Sequence, residues 1–89
     1  MAWKVEFSQA ADKYLRKLDP QHRQRILKFL SMRIAGEENP RRIGQGLQGA
    51  RFGEFWKYRV GDYRLICKIE DDQVLVLVLQ VGHRREVYR

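Results

Sequence analysis

The amino-acid sequence predicts an α+β fold in which a helical hairpin packs on one face of a mainly antiparallel sheet. Three observations carry this expectation. Two amphipathic segments are separated by a single Asp-Pro break. Three runs rich in aromatic and β-branched residues follow, joined by two short connections. A short alternating apolar–charged segment precedes them all. A chain of 89 residues has room for one hydrophobic core, so residues 1–89 are read as a single domain, of order β-α-α-β-β-β.

Each element has a local cause. Trp3-Lys4-Val5-Glu6-Phe7 alternates in the manner of a half-buried strand. Ser8 stands at an N-cap position, and Ala11, Tyr14, Leu15 and Leu18 then recur at i, i+3, i+4 and i+7. Asp19-Pro20 ends this helix and opens the next, with Asp19 as cap and Pro20 at the first helical position. Ile26, Leu27, Phe29, Leu30 and Ile34 form the second apolar stripe, and Gly36 predicts an end near Ala35. Glu37 to Arg51, punctuated by Pro40, Gly44, Gly46 and Gly49, reads as a loop with room for one turn of helix. Phe52 to Val60, Tyr63 to Ile69 and Val74 to Val81 complete a three-stranded meander, connected through Gly61-Asp62 and Glu70-Asp71-Asp72-Gln73.

Composition narrows the function classes. Lys and Arg total 18 against 11 acidic residues, a net charge of +7, which points to an anionic partner such as nucleic acid, a membrane surface or an acidic protein. The basic residues are not gathered on one strongly amphipathic helix, which argues against a membrane surface. Cys67 is the sole cysteine, excluding an internal disulfide and any cysteine-based metal cluster. The N-terminus shows no secretory pattern, and the longest apolar run, Val74 to Leu79, is too short to span a bilayer. A cytoplasmic protein is the expectation.

The meander holds the informative chemistry. If Gly61-Asp62 is a two-residue loop, for which a leading glycine suits a type II′ turn, Val60 pairs with Tyr63, Arg59 with Arg64 and Lys57 with Ile66. Alternation then projects Lys57, Arg59 and Arg64 from one face, while Trp56, Tyr58, Val60, Tyr63, Leu65 and Cys67 face the helices. Directly opposed arginines repel, and a purely structural sheet has little reason to cluster three cations, whereas a face that holds phosphate does; a solubilising role for the same charges stays open beside it. At the C-terminus, His83, Arg84 and Arg85 arrive near the end of the last strand as candidate RNA contacts. Tyr88 is a candidate platform for a nucleobase. His22, on the exposed side of the second helix, carries no functional weight.

These residues resemble the RelE family of bacterial toxins, part of the wider RelE/ParE superfamily, over nearly the whole chain. The likeness rests on the opening strand, Tyr14-Leu15-Arg16-Lys17-Leu18, the Leu47-Gln48-Gly49 turn, Gly61-Asp62-Tyr63-Arg64-Leu65 and Val81-Gly82-His83-Arg84-Arg85-Glu86-Val87-Tyr88. It implies a RelE-like fold and a toxin that cleaves messenger RNA in the ribosomal A site. The cleavage it implies needs no cofactor or metal: the ribose 2′-hydroxyl attacks the adjacent phosphate. Matched by motif, Lys57, Arg59, Arg64, Arg84 and Tyr88 are the implied catalytic set. Lys57 would be base for the 2′-hydroxyl, Arg59 and Arg64 would stabilise the phosphorane, and Arg84 would contact phosphate. Where family members often carry two lysines, this chain has Lys57 and Arg59. The resemblance also implies a neutralising antitoxin in a toxin–antitoxin hetero-oligomer, and the +7 charge suggests that antitoxin is acidic. Two rival functions remain open on the same residues: a ParE-like inhibitor of DNA gyrase, and a non-catalytic RNA-binding module.

Overall fold

The computed structural model describes residues 3–47 and 55–83. Its strands are β1 (Lys4–Phe7), β2 (Gln45–Gly46), β3 (Phe55–Val60), β4 (Tyr63–Glu70) and β5 (Leu75–His83), and its helices are α1 (Gln9–Lys17) and α2 (Pro20–Phe29). The sheet has the order β1-β5-β4-β3-β2. Pairing is antiparallel throughout except between β1 and β5, which run parallel. Both helices pack on one face, as expected for the helical hairpin. The sheet has one strand more than the sequence suggested: the two residues of β2 lie in the segment read as loop, next to a 3-10 turn at Pro40–Arg42.

The helix boundaries follow the side chains that cap them. Ser8 adopts extended dihedrals and its Oγ accepts from the Ala11 amide at 3.1 Å, starting α1. Asp19 accepts from the Gln21 amide at 3.0 Å, and Pro20 fills the first position of α2, where its missing N–H costs nothing. The helical path continues beyond α2 as a π-helical turn, Leu30–Ile34, in which the Ala35 amide donates to the Leu30 carbonyl at 2.8 Å. This widened turn keeps Leu30 (2 % exposed) and Ile34 (0 %) facing the sheet together with Ile26. They meet Ala11 and Leu15 from α1 and Tyr58, Leu65, Cys67, Val76, Val78 and Val81 from the sheet.

A β-bulge adjusts the last strand. Cys67 pairs with Val78 but Ile66 pairs with Gln80, so Leu79 is an extra residue on β5. The extra residue reverses the alternation beyond it and turns Val81 toward the helices, where Gln80 would otherwise point. Ser8 secures this irregularity: its hydroxyl donates to the Leu79 carbonyl at 2.6 Å while its amide donates to the Val78 carbonyl at 2.9 Å. One side chain thus starts a helix and satisfies the bulge. The strand expected from Val74 begins instead at Leu75. Val74 takes the left-handed conformation, φ +51°, to close the 3-10 turn Asp71–Gln73.

Two polar ties hold the segment between α2 and β3. The Arg41 guanidinium makes two hydrogen bonds of 2.9 Å to Asp71, joining the Pro40 turn to the β4–β5 connection. The Asp71 carboxyl is held below its ordinary range by the Arg41 hydrogen bond, so this tie is intact near neutrality and is lost on acidification. Beneath it, the Tyr58 hydroxyl, buried in the core, donates to the Pro40 carbonyl at 2.5 Å.

Burial, with Cys67 nearby, pushes the Tyr58 phenol well above the usual tyrosine value. The fold therefore favours the protonated phenol, and that stability is complete below pH of about 10 and declines as the pH rises past it. Removing the hydroxyl in Tyr58→Phe leaves the Pro40 carbonyl unpaired. It should cost about 1–3 kcal/mol of unfolding free energy, read from urea midpoints. An unchanged midpoint would mean that this bond contributes nothing.

Candidate anion site on the β3–β4 hairpin

The Gly61-Asp62 turn sets the register from which the site follows. Gly61 has φ +60°, whereas the one positive-φ residue other than glycine among the described residues is Val74, so Asp62 keeps a negative φ. This is the type II′ pattern. The pairs are those expected from it: Val60 with Tyr63, Arg59 with Arg64, and Lys57 with Ile66. In a hairpin with a two-residue loop, the second pair from the turn is not mutually hydrogen-bonded, and its side chains stand closest. Arg59 and Arg64 occupy that pair.

Lys57, Arg59 and Arg64 line one recess of about 240 Å3 together with Gly44 and Gln45 of the segment around β2. Ile66, the partner of Lys57 and 7 % exposed, gives the cluster an apolar neighbour on the same face. Gly82 lies opposite Arg64 on β5 and leaves that side of the guanidinium without a competing side chain. Arg64 Nη1 is buried and has no hydrogen-bond partner among the described residues. A buried cationic donor without an acceptor is costly unless an anion completes it. Phosphate is the fitting ligand: guanidinium groups bind its oxygens through paired, charge-assisted hydrogen bonds.

Two members of the recess escaped sequence reasoning. Gly44 has φ +81°, and a Cβ there would collide with the Lys57 carbonyl oxygen and lie 2.8 Å from Trp56 Nε1. Only glycine lets this chain lie so close to β3. Trp56 Nε1 donates to the Ile43 carbonyl at 2.8 Å and fixes the approach. The available signal was one glycine in a segment that holds several.

The other candidates are placed differently. His83 pairs with Tyr63, so it lies on the helix side of the sheet, not beside Arg64. Its ring stands edge-on to Tyr63 at 5.9 Å, and Tyr63 in turn meets His22 at 5.6 Å. This row of rings packs α2 against the end of the sheet. Arg84, Arg85 and Tyr88 lie outside the described residues, as do Gln48 and Gly49. Among the described residues no group of three or more His, Cys, Asp or Glu side chains is placed to hold a metal ion.

A helical hairpin on one face of a five-stranded sheet and a cationic recess on the other define a small α+β protein with a candidate anion site on its open sheet face. Residues 5–88 match the family described as the ParE toxin of the type II toxin–antitoxin system parDE. Toxin RelG of Mycobacterium tuberculosis is 34% identical over 89 residues, covering 100% of this chain and 99% of that protein. The mRNA interferase toxin RelE of Escherichia coli K12 is also 34% identical, over 90 residues, covering 99% and 92%. The toxin–antitoxin complex RelBE2 of M. tuberculosis contains a chain that superimposes with a TM-score of 0.83 at 29% identity, covering 97% of this chain and 95% of that one. The chain belongs to the RelE/ParE superfamily of type II toxin–antitoxin toxins, among the RelE toxins.

Occupancy of the recess is directly measurable. Inorganic phosphate should raise the thermal midpoint of the protein, by about 2.7 kcal/mol of stability at a hundredfold excess over its Kd. The Arg64→Leu variant should show no such rise. Equal stabilisation of the two proteins would place the anion elsewhere.

Proposed function

We propose that this toxin is an endoribonuclease that cuts messenger RNA in the ribosomal A site by attack of a ribose 2′-hydroxyl on its own 3′-phosphate. The observation that carries the reading is the buried, unpartnered Arg64 Nη1 in a recess lined by Lys57 and Arg59. In-line attack forms the O2′–P bond and breaks the P–O5′ bond, leaving a 2′,3′-cyclic phosphate and a 5′-hydroxyl. Charge builds on the phosphoryl oxygens in the transition state, where preformed donors stabilise it most. Arg64 and Arg59 supply those donors from opposite strands of a rigid hairpin. Lys57, two pairs farther from the turn, takes the proton of the 2′-hydroxyl. Arg84 delivers a further cation to the leaving side, and Tyr88 stacks on a base to hold the backbone in line. Arg85 contacts RNA outside the reacting phosphate. The names of the E. coli and Shigella flexneri relatives, mRNA interferase, support the same reaction class.

The protein is held inactive by an antitoxin. The solved RelBE2 relative is a toxin–antitoxin complex. The +7 charge of this chain and the exposed Met32 (65 %) of its helical layer suit an acidic partner with apolar anchors. An antitoxin that co-purifies with this protein should be net acidic; a strongly basic partner would contradict this.

A second reading has its own support, because the matching family carries the ParE name. ParE-like inhibition of DNA gyrase needs no RNA-cleaving constellation. A translating-ribosome assay separates the two. Cuts within the A-site codon that end in cyclic phosphate, and fall by about 10²–10³ in rate in Arg64→Ala, establish the ribonuclease. An intact message with loss of supercoiling activity by gyrase establishes the other reading.

A further inference from the structure

The hydrogen-bonding inventory of the recess is one-sided. Arginine and protonated lysine side chains carry donors only, so in that charge state Lys57, Arg59 and Arg64 match phosphate oxygens, which only accept. Such a set holds the phosphate of RNA and of DNA alike. Ribose differs from deoxyribose by one hydroxyl, which both donates and accepts, and a site that selects RNA has to engage it. Among the described residues that line the recess, one side chain contains an acceptor, and that is Gln45.

We propose that Gln45 is the residue by which the site tells ribose from deoxyribose. In the bound ground state its carboxamide oxygen accepts the hydrogen bond of the 2′-hydroxyl on the nucleotide whose phosphate rests on Arg64, and the hydroxyl turns its proton to Lys57 when attack begins. The inference depends on the RNA reading of the recess given above and adds the group that reads the sugar.

The backbone places Gln45 for this role. It pairs with Lys57 in the antiparallel ladder, so both side chains leave the same face of the sheet. The strand that carries it is two residues long, yet it is held at both ends. The Trp56 indole donates to the Ile43 carbonyl on one side, and the Leu47 amide donates to the Phe55 carbonyl at 3.1 Å on the other. Gly44 removes the last obstacle to close approach. A carboxamide also does this without cost to the neighbouring charges. A carboxylate in its place would pair with the cations and compete with phosphate, and a lysine would add a donor that cannot recognise the hydroxyl proton.

The test is a comparison of one short single-stranded RNA with its all-2′-deoxy counterpart, by fluorescence anisotropy at fixed salt, for wild type and Gln45→Leu. Gln45 is exposed on a two-residue strand, so leucine leaves the core untouched. Wild type should prefer RNA by about fivefold, the worth of one ordinary hydrogen bond. Gln45→Leu should bring the ratio to about one by weakening RNA alone, with the salt dependence of DNA binding unchanged. A preference kept in the variant overturns the assignment to Gln45 while leaving the RNA reading in place. Equal weakening of both oligonucleotides also overturns it, since Gln45 would then be a backbone contact. No preference in wild type overturns the RNA reading itself, and this proposal with it.

Discussion

The register of one hairpin governs the chemistry of this molecule. Gly61 supplies the positive φ that a type II′ turn requires, and the two-residue loop leaves no freedom in how β3 and β4 align. A slip of one residue would send Arg59 and Arg64 to opposite faces and put Tyr58 into solvent. The turn therefore decides at once which residues make the core and which make the recess. The core enforces the same answer, because Tyr58 and Leu65 are completely buried and can occupy only the helix side. Site and core are two faces of one alignment.

That alignment has an energetic cost that binding can offset. Opposed arginines in a sheet repel by about 0.2–1 kcal/mol. A buried guanidinium nitrogen without an acceptor adds to this. An anion that enters between the strands offsets both terms. The scaffold keeps the unfavourable charges in place by ordinary means: the apolar contact layer beneath, the Tyr58–Pro40 bond and the Arg41–Asp71 tie. A preorganised set of donors of this kind spends nothing on rearrangement when its ligand arrives.

What could be read from the sequence was whatever is determined locally. Ser8 and Asp19 announce helix starts by their own side-chain chemistry, and Gly61-Asp62 announces a register, so the helical hairpin and the cationic face followed from residue order alone. The parts that escaped depend on distant pairing. β2 is two residues with no periodicity to detect, and its position is decided by Trp56 and by the space that Gly44 leaves. The parallel partner of β1 is an outcome of packing that no local pattern encodes. The bulge at Leu79 reverses alternation in the last strand, and so it decides that Val81 and His83, and not Gln80 and Gly82, turn toward the helices. The face occupied by His83 is thus legible only once the bulge is known.

The Ser8 hydroxyl spans 71 residues to reach Leu79, and the strand it follows has β5 as its hydrogen-bonded partner. Contacts so distant along the chain close late, because the intervening loop entropy must be overcome before they form. During synthesis β1 and α1 emerge long before the strand that completes them. A nascent chain of this design lacks the strand that joins β1 to β4 until synthesis has passed Gly82. The topology thus acts as a timer: a ribosome making this protein has translated almost all of the described chain before the sheet that carries the recess is whole.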